Sequence, residues 1–315
     1  MVRIIKDLKD NISPILMYTN LAHGRRHESI PDDEFCNILD LIWHRDGGQE
    51  VAIDLLSMRF HGLKQKQDYI VSDCLKKKSA SLLALFDYSK ERNHFNSKDY
   101  NFTQIANVCF SNKVNEDYAI SVFMNIRDSI LDHIIGRMDL PDFLSTMIQM
   151  HPILALEVFI GEGVEVEPQL RNAIKNRFDN KTSPFSNMEA QNILEWCDDS
   201  RENRYPKLAS IITPYQFIEE SIEWTPLAIE VLKNSPEPIK VLEEYLSSLH
   251  SSSGSGSRAQ KLESRLPLFQ ILKKHDNKKI SSWAINKEVQ WKKFIASEYE
   301  REVERDIDRG ERFEW

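Results

Sequence analysis

His151-Pro152-Ile153-Leu154-Ala155-Leu156-Glu157-Val158-Phe159-Ile160 is the stretch that decides the fold. A small residue, Ala155, is followed three and four positions later by two large apolar ones, Val158 and Phe159. At about 3.6 residues per turn these side chains share one helix face, and the alanine lets a neighbouring helix come close. The same word recurs at Ala52 (Leu55, Leu56), Ala119 (Val122, Phe123), Ala190 (Ile193, Leu194) and Ala228 (Val231, Leu232). A looser copy stands at Ala80 (Leu83, Ala84). From Ala119 through Ala155 and Ala190 to Ala228 the steps are 36, 35 and 38 residues. A steady period between roughly 20 and 50 residues predicts helical hairpins stacked side by side. The expected fold is all-α, a right-handed α-solenoid of irregular hairpins, about six or seven of them.

The totals agree with that expectation. Ten glycines in 315 residues are few, about half the ~7% usual share, which argues against phosphate-cradling loops and for helices. No run of about 18 apolar residues occurs, so no membrane span is expected. Met1 to Asp10 alternates charged with apolar residues and lacks a signal-peptide core, so a cytoplasmic location is expected. The four cysteines, Cys36, Cys74, Cys109 and Cys197, never form a close pair in sequence. They therefore predict neither a Cys-x-x-Cys site nor a disulfide framework. The first three are 38 and 35 residues apart, as small buried residues at equivalent repeat positions would be.

In chain order, residues 3–22 predict a helix with a kink at Ser13-Pro14. Pro31-Asp32-Asp33-Glu34 opens the next, since proline suits a first turn and acids suit the positive helix end. Phe35, Ile38, Leu39 and Ile42 are its apolar stripe, Gly47-Gly48 its stop, and Gln49 to Phe60 its partner. Further hairpins are expected over 68–110, with a solvated loop at 90–101, then 115–150, 151–178 and 188–212. Ser183-Pro184, Thr213-Pro214, Thr225-Pro226 and Ser235-Pro236 each read as a capped helix start. No segment of five or more residues alternates cleanly enough to predict a strand.

Residues 1–250 thus read as one helical-repeat array. Residues 251–257, Ser-Ser-Ser-Gly-Ser-Gly-Ser, read as a flexible loop. Residues 258–315 read as a basic repeat with a charged capping helix. From Arg258 to Lys293 ten basic residues face three acids, a net of +7, whereas the stretch from Phe294 onward is −4 and the chain as a whole −8. Trp291, Ile295, Tyr299, Val303 and Ile307 recur every four residues as a docking edge. Glu298–Arg301, Glu302–Arg305 and Asp306–Arg309 are spaced as pairs on the solvent side.

Within this last segment, Ser-Gly-Ser-Arg258-Ala259-x-x-Leu262-Glu263-x-Arg265, then Leu272-x-x-His275-Asp276-Asn277, then Trp283-Ala284 and the Glu/Arg-rich tail to Arg312-Phe313-Glu314 resemble a known pattern. It is the C-terminal end of HEAT-like helical-repeat regions in bacterial proteins, many of them from phage-defence and other conflict systems. The resemblance covers about 60 residues closely, with HEAT-like character over the rest. It implies a repeat region that acts as sensor or scaffold, with the effector elsewhere.

Chemistry is sparse. His23-x-x-x-His27 has the spacing of two zinc ligands, but Gly24 breaks the helix they would need and no third ligand is identifiable. Asp32-Asp33, Asp198-Asp199 and Glu219-Glu220 are adjacent acids, which point apart on a helix and nominate no catalytic pair. No serine, cysteine or lysine sits in a nucleophile motif. The chain is expected not to be an enzyme and to need no cofactor or metal. A protein-binding scaffold is the first reading, and a nucleic-acid-binding one the alternative. Arg258, Lys261, Arg265, Lys273, Lys274, Lys278 and Lys279 are the candidate contact residues, attracted to phosphates or an acidic partner by field. Trp283 and Trp291 would be either core residues or bases' stacking partners.

Overall fold

The computed structural model describes residues 30–61, 70–89, 98–111, 114–136, 139–175, 183–219, 221–250 and 256–312. The expected first helix at 3–22, the His23/His27 pair and most of the Ser/Gly segment lie outside them. The chain divides into two compact units, 1–176 and 177–315. The joint expected at 251–257 therefore falls inside the second unit, because the helices after Ser257 pack back on the helix that ends at His250.

In the first unit the helices are α1 (Asp32–Trp43), α2 (Gly48–Phe60), α3 (Asp73–Leu85), α4 (Asp99–Cys109), α5 (Glu116–Leu131), α6 (Pro141–Met150), α7 (Pro152–Ile160) and α8 (Pro168–Ile174). The stripe Phe35, Ile38, Leu39, Ile42 is buried, as are Ala52, Ala80, Ala119 and Ala155 with most of their large partners. The break before α2 needs glycine twice over. Gly47 has φ 65°, and a Cβ on Gly48 would lie 2.0 Å from the Ile42 carbonyl oxygen.

From α1 to α7 each helix packs on its neighbour in the chain or on the next but one, α1 on α3, α3 on α5 and α5 on α7 in one row, and α2 on α4 and α4 on α6 in the other, while α8 lies against α5 and α6. Side chains tie each row at separations near 40 residues. Lys78 Nζ reaches Asp40 at 2.8 Å, 38 residues away. Asn125 donates to the Ala84 carbonyl at 2.8 Å, 41 residues away. Asp99 at the start of α4 accepts the Phe143 N–H at the start of α6 (2.8 Å). Aromatic pairs do the same, Phe102 against Phe143 (centroids 5.3 Å) and Phe123 against Phe159 (5.7 Å). Burying these rings and the aliphatic residues around them is the main stabilising term, about 1.5–3 kcal/mol per large side chain.

Of the three evenly spaced cysteines only the first two share this register, since Cys109 ends α4 in the other row, and Cys74 is not buried as expected. Cys36 on α1 and Cys74 on α3 place their sulfurs 3.9 Å apart, with Cys74 exposed. Burial first, and then the neighbouring Cys74, push the Cys36 thiol up to about 12. Cys36 is therefore a poor nucleophile, and the exposed Cys74 is the sulfur that meets an oxidant first. Diamide, which accepts the two electrons and two protons released, is expected to join the two sulfurs within one chain. Thiol titration should fall by two with no covalent dimer on a non-reducing gel. Retention of both thiols after oxidation would show that α1 and α3 do not meet in this register.

In the second unit a 3-10 turn (Pro184–Asn187) is followed by α9 (Ala190–Asp198), α10 (Arg201–Ile211) and β1 (Tyr215–Ile218). Then come β2 (Ser221–Trp224), α11 (Pro226–Asn234), α12 (Pro238–His250), α13 (Arg258–Glu263), α14 (Leu266–Lys273) and α15 (Lys278–Arg312). The molecule is mostly helical. The one sheet among the described residues is the antiparallel hairpin β1–β2, in which Tyr215 faces Trp224 and Ile218 faces Ser221. Strands of four residues are too short to register as alternation, yet Ile222 and Trp224 turn inward in alternation with exposed Ser221 and Glu223. The Trp224 indole donates to the Leu268 carbonyl on α14 (3.3 Å).

Of the four Ser/Thr-Pro pairs, only Thr225-Pro226 is a capped α-helix start, with Thr225 accepting the Ala228 N–H (3.4 Å). Ser183-Pro184 opens the 3-10 turn without a side-chain cap. Thr213-Pro214 leads into β1, its hydroxyl accepting the Ser183 N–H (2.9 Å). Ser235 holds the Glu237 N–H (3.1 Å) in a short turn before α12. A hydroxyl before proline satisfies a local N–H in several geometries, so the pair marks a turn more surely than a helix. Pro206 sits within α10, a helix that begins five residues earlier, where burial of Arg204, Tyr205 and Leu208 offsets the lost backbone bond.

Candidate interaction surfaces

The basic segment is organised by four glutamates. Glu288 on α15, itself buried, binds Lys273 and Lys292, both at 2.7 Å, and accepts the Gln270 amide at 2.8 Å. The hydrogen bonds from Lys273 and Lys292 hold its carboxyl below the usual range. Glu298, also buried, pairs with Arg258 (3.2 Å) and Arg301 (2.7 Å). Glu302 accepts the Ser257 hydroxyl (2.7 Å) and the N–H groups of Arg258 (2.6 Å) and Ala259 (3.1 Å), sealing the start of α13. The Ser257 bond, with those backbone N–H groups, lowers the Glu302 carboxyl pKa. Glu243 on α12 receives the Trp283 indole (2.7 Å) and Lys287 (3.0 Å).

These contacts sort the candidate cations. Arg265 is buried, donates to the Leu249 carbonyl and stands 5.4 Å from the Tyr215 ring; burial lowers its pKa. Arg258 and Lys273 are held by Glu298 and Glu288, and Lys261 is half-buried. Lys274, Lys278 and Lys279 are exposed, as is Lys293, and none has an ion pair among the described residues. Four lysines in the turn before α15 and along it are therefore what a partner would meet, rather than the whole set of seven.

The tryptophans belong to the core. Trp291 is 2% exposed and Trp283 9%. Trp291 packs on Phe269 (5.5 Å) and on His250 (4.6 Å), and donates to the Leu262 carbonyl (3.0 Å). Burial, with Arg258, Arg265 and Lys287 nearby, pulls the His250 imidazole below its ordinary pKa.

The docking edge expected on α15 holds only over its first half. Trp291 and Ile295 are buried, but Val303 and Ile307 are more than half exposed. A four-residue spacing advances about 400° per step, so the edge rotates ~40° each time and leaves the core. Residues 288, 291, 295, 298 and 302, spaced by three and four, face inward instead. Glu298 and Glu302, expected as solvent-side members of charge pairs, are thus the acids that hold the basic segment.

Elsewhere the adjacent acids serve structure. Asp32 binds Arg59, Asp198 accepts the Tyr205 hydroxyl (3.1 Å), and Asp199 pairs with Arg204 (3.1 Å). No group of three or more His, Cys, Asp or Glu among the described residues could hold a metal ion. A shallow pocket lined by Ser221, Ile222, Gln260, Glu263, Ser264 and Pro267 carries one ionisable group, Glu263, which accepts the Tyr299 hydroxyl (2.8 Å). No single helix among the described residues is long and apolar enough to cross a membrane. No family model, curated protein or solved structure matches this chain.

Proposed function

We propose that this chain is a non-enzymatic scaffold or sensor, a HEAT-like α-solenoid that binds a protein partner in the cytoplasm. The observation that carries the reading is the set of links recurring near 40 residues within each helix row of the first unit, from Asp40–Lys78 to Asp99–Phe143. Such links belong to stacked hairpins, whose long surfaces recognise extended partners through many modest contacts. Exposed Leu85, Met124 and Leu131, all on the α3 and α5 row, supply apolar contact points. The resemblance of residues 258–314 to repeat regions of bacterial defence proteins supports a place in a defence or regulatory complex.

The exposed lysines favour nucleic acid as a second reading. The two are separated by capture from native lysate with and without nuclease, using the wild type and a Lys274→Glu, Lys278→Glu, Lys279→Glu variant. Lys273 is left intact, since an acid there would face Glu288. The scaffold reading expects one protein retained in all four arms. Loss with nuclease, together with loss in the variant, would replace it by phosphate binding, whose salt slope should drop by about 0.9 per lost contact.

A further inference from the structure

The 35-residue helix α15 carries two stripes. The inner one, Ile280, Ala284, Glu288, Trp291, Ile295 and Glu298, is buried against α12, α13 and α14. The second lies about a third of a turn round the axis. It runs Ile285, Val289, Lys292, Ala296, Tyr299 and Val303, alternating steps of four and three, the heptad spacing of a coiled-coil seam. Its large apolar members are open: Ile285 is 50% exposed, Val289 53%, Val303 58% and neighbouring Ile307 56%. Past Glu302 the described side chains, 303–307, are all exposed, yet the helix continues to Arg312. The end of a helix whose described side chains, about one and a half turns of them, all face solvent draws little from packing, the main source of helical stability.

We propose that this seam is the dimerisation surface of the protein, and that its occupant is α15 of a second copy running antiparallel. Charge decides both the partner and the direction. Lys287 and Lys292 are engaged by Glu243 and Glu288, and Glu298 by Arg258 and Arg301. Of the exposed charges left, the first half of the helix carries Lys278, Lys279 and Lys293, and the second half Glu300, Glu304 and Asp306 against Arg305. A parallel pair would lay like halves together. An antiparallel pair lays the basic half of each helix on the acidic half of the other, satisfying the charge pattern twice. With the twofold axis near Phe294, Ile285 meets the partner's Val303 and Val289 meets the partner's Tyr299. Lys292, held to Glu288 of its own chain at 2.7 Å, falls beside the partner's Ala296, a small residue that leaves room for the lysine stem.

The test uses the full chain. Sedimentation equilibrium at tens of micromolar should give twice 36.8 kDa. Val289→Glu with Val303→Glu should give the monomer mass and keep a cooperative unfolding transition, both sites being exposed within one chain, with the midpoint lowered only by the loss of the partner. In a Cys74→Ser background, chains carrying Ile285→Cys should cross-link to chains carrying Val303→Cys, and neither should cross-link to itself. A wild-type monomer overturns the proposal, including one in which Val289 is protected from hydrogen exchange by another segment of the same chain. Self-links at 285 and at 303 would show a parallel pair and overturn it equally.

Discussion

Arg59→Ala is expected to destabilise the first unit by about 3–5 kcal/mol, the range for removing one partner of a buried ion pair. The side chain is 2% exposed. One terminal nitrogen donates to the Ile30 carbonyl (2.8 Å) and to Asp32 (2.7 Å), and the guanidinium lies 5.0 Å from the Phe35 ring. Asp32 is the first residue of α1, and its other oxygen accepts the Ser72 N–H (2.9 Å) at the cap of α3. One ion pair thus ties the start of α1 to the end of α2 and the start of α3. Alanine would take this buried cation away from the carboxylate, and would empty the space on Phe35. Two comparisons isolate the cause. Arg59→Lys keeps the charge and loses the planar fork, so it should fall between wild type and alanine. Arg59→Met with Asp32→Asn removes both charges, and should recover most of the loss. The readout is hydrogen exchange over residues 32–60 with urea unfolding of the whole chain. A loss below about 1 kcal/mol in the alanine variant would mean that the pair is solvent-screened and does not tie the helices.

How much of this is legible in the sequence depends on the range of the interactions involved. Helices α1 to α7 are, because their signals are local: the Ala155 word and its copies, the Phe35–Ile42 stripe and the glycines at 47 and 48 each act within a turn or two. The alignment of Cys36 with Cys74 is legible as a 38-residue spacing. Arg59 is not. Nothing near it in sequence separates a buried arginine from a surface one, since its partners arrive from 27 and 29 residues away. The hairpin β1–β2 escapes because two four-residue strands gain their stability from packing on α14 and not from their own pattern. The seven candidate cations are picked out by charge alone, and charge does not reveal that Glu288 and Glu298 hold Lys273 and Arg258, or that Arg265 is buried. Part of that signal is present: residues 288, 291, 295 and 298 make a three-four stripe through the obvious core residue Trp291. The four-four edge instead turns the helix by ~40° per step and puts its acids outside.

Trp291 is also where the largest loss in the second unit is expected, about 3–5 kcal/mol on replacement by alanine. The ring fills the space between α12, α13 and α14, touching Phe294 (6.2 Å between centroids) as well as His250 and Phe269. Removing it opens a cavity that three short elements must close, and it strips the Leu262 carbonyl of its indole donor. Trp291→Phe keeps much of the volume and loses the hydrogen bond, so it should cost about 1–3 kcal/mol. The same geometry has a consequence for binding. α13 and α14 bring Arg258 and Lys273 to Glu298 and Glu288, and they do so only while Trp291 holds α15 against them. If the lysines of this region contact a partner, Trp291→Ala should weaken that contact without touching it, in step with the loss of thermal stability. Trp291→Phe should leave it near the wild type. A Trp291→Ala protein that unfolds as late as the wild type but binds less would assign the ring a direct role at the surface, against its 2% exposure.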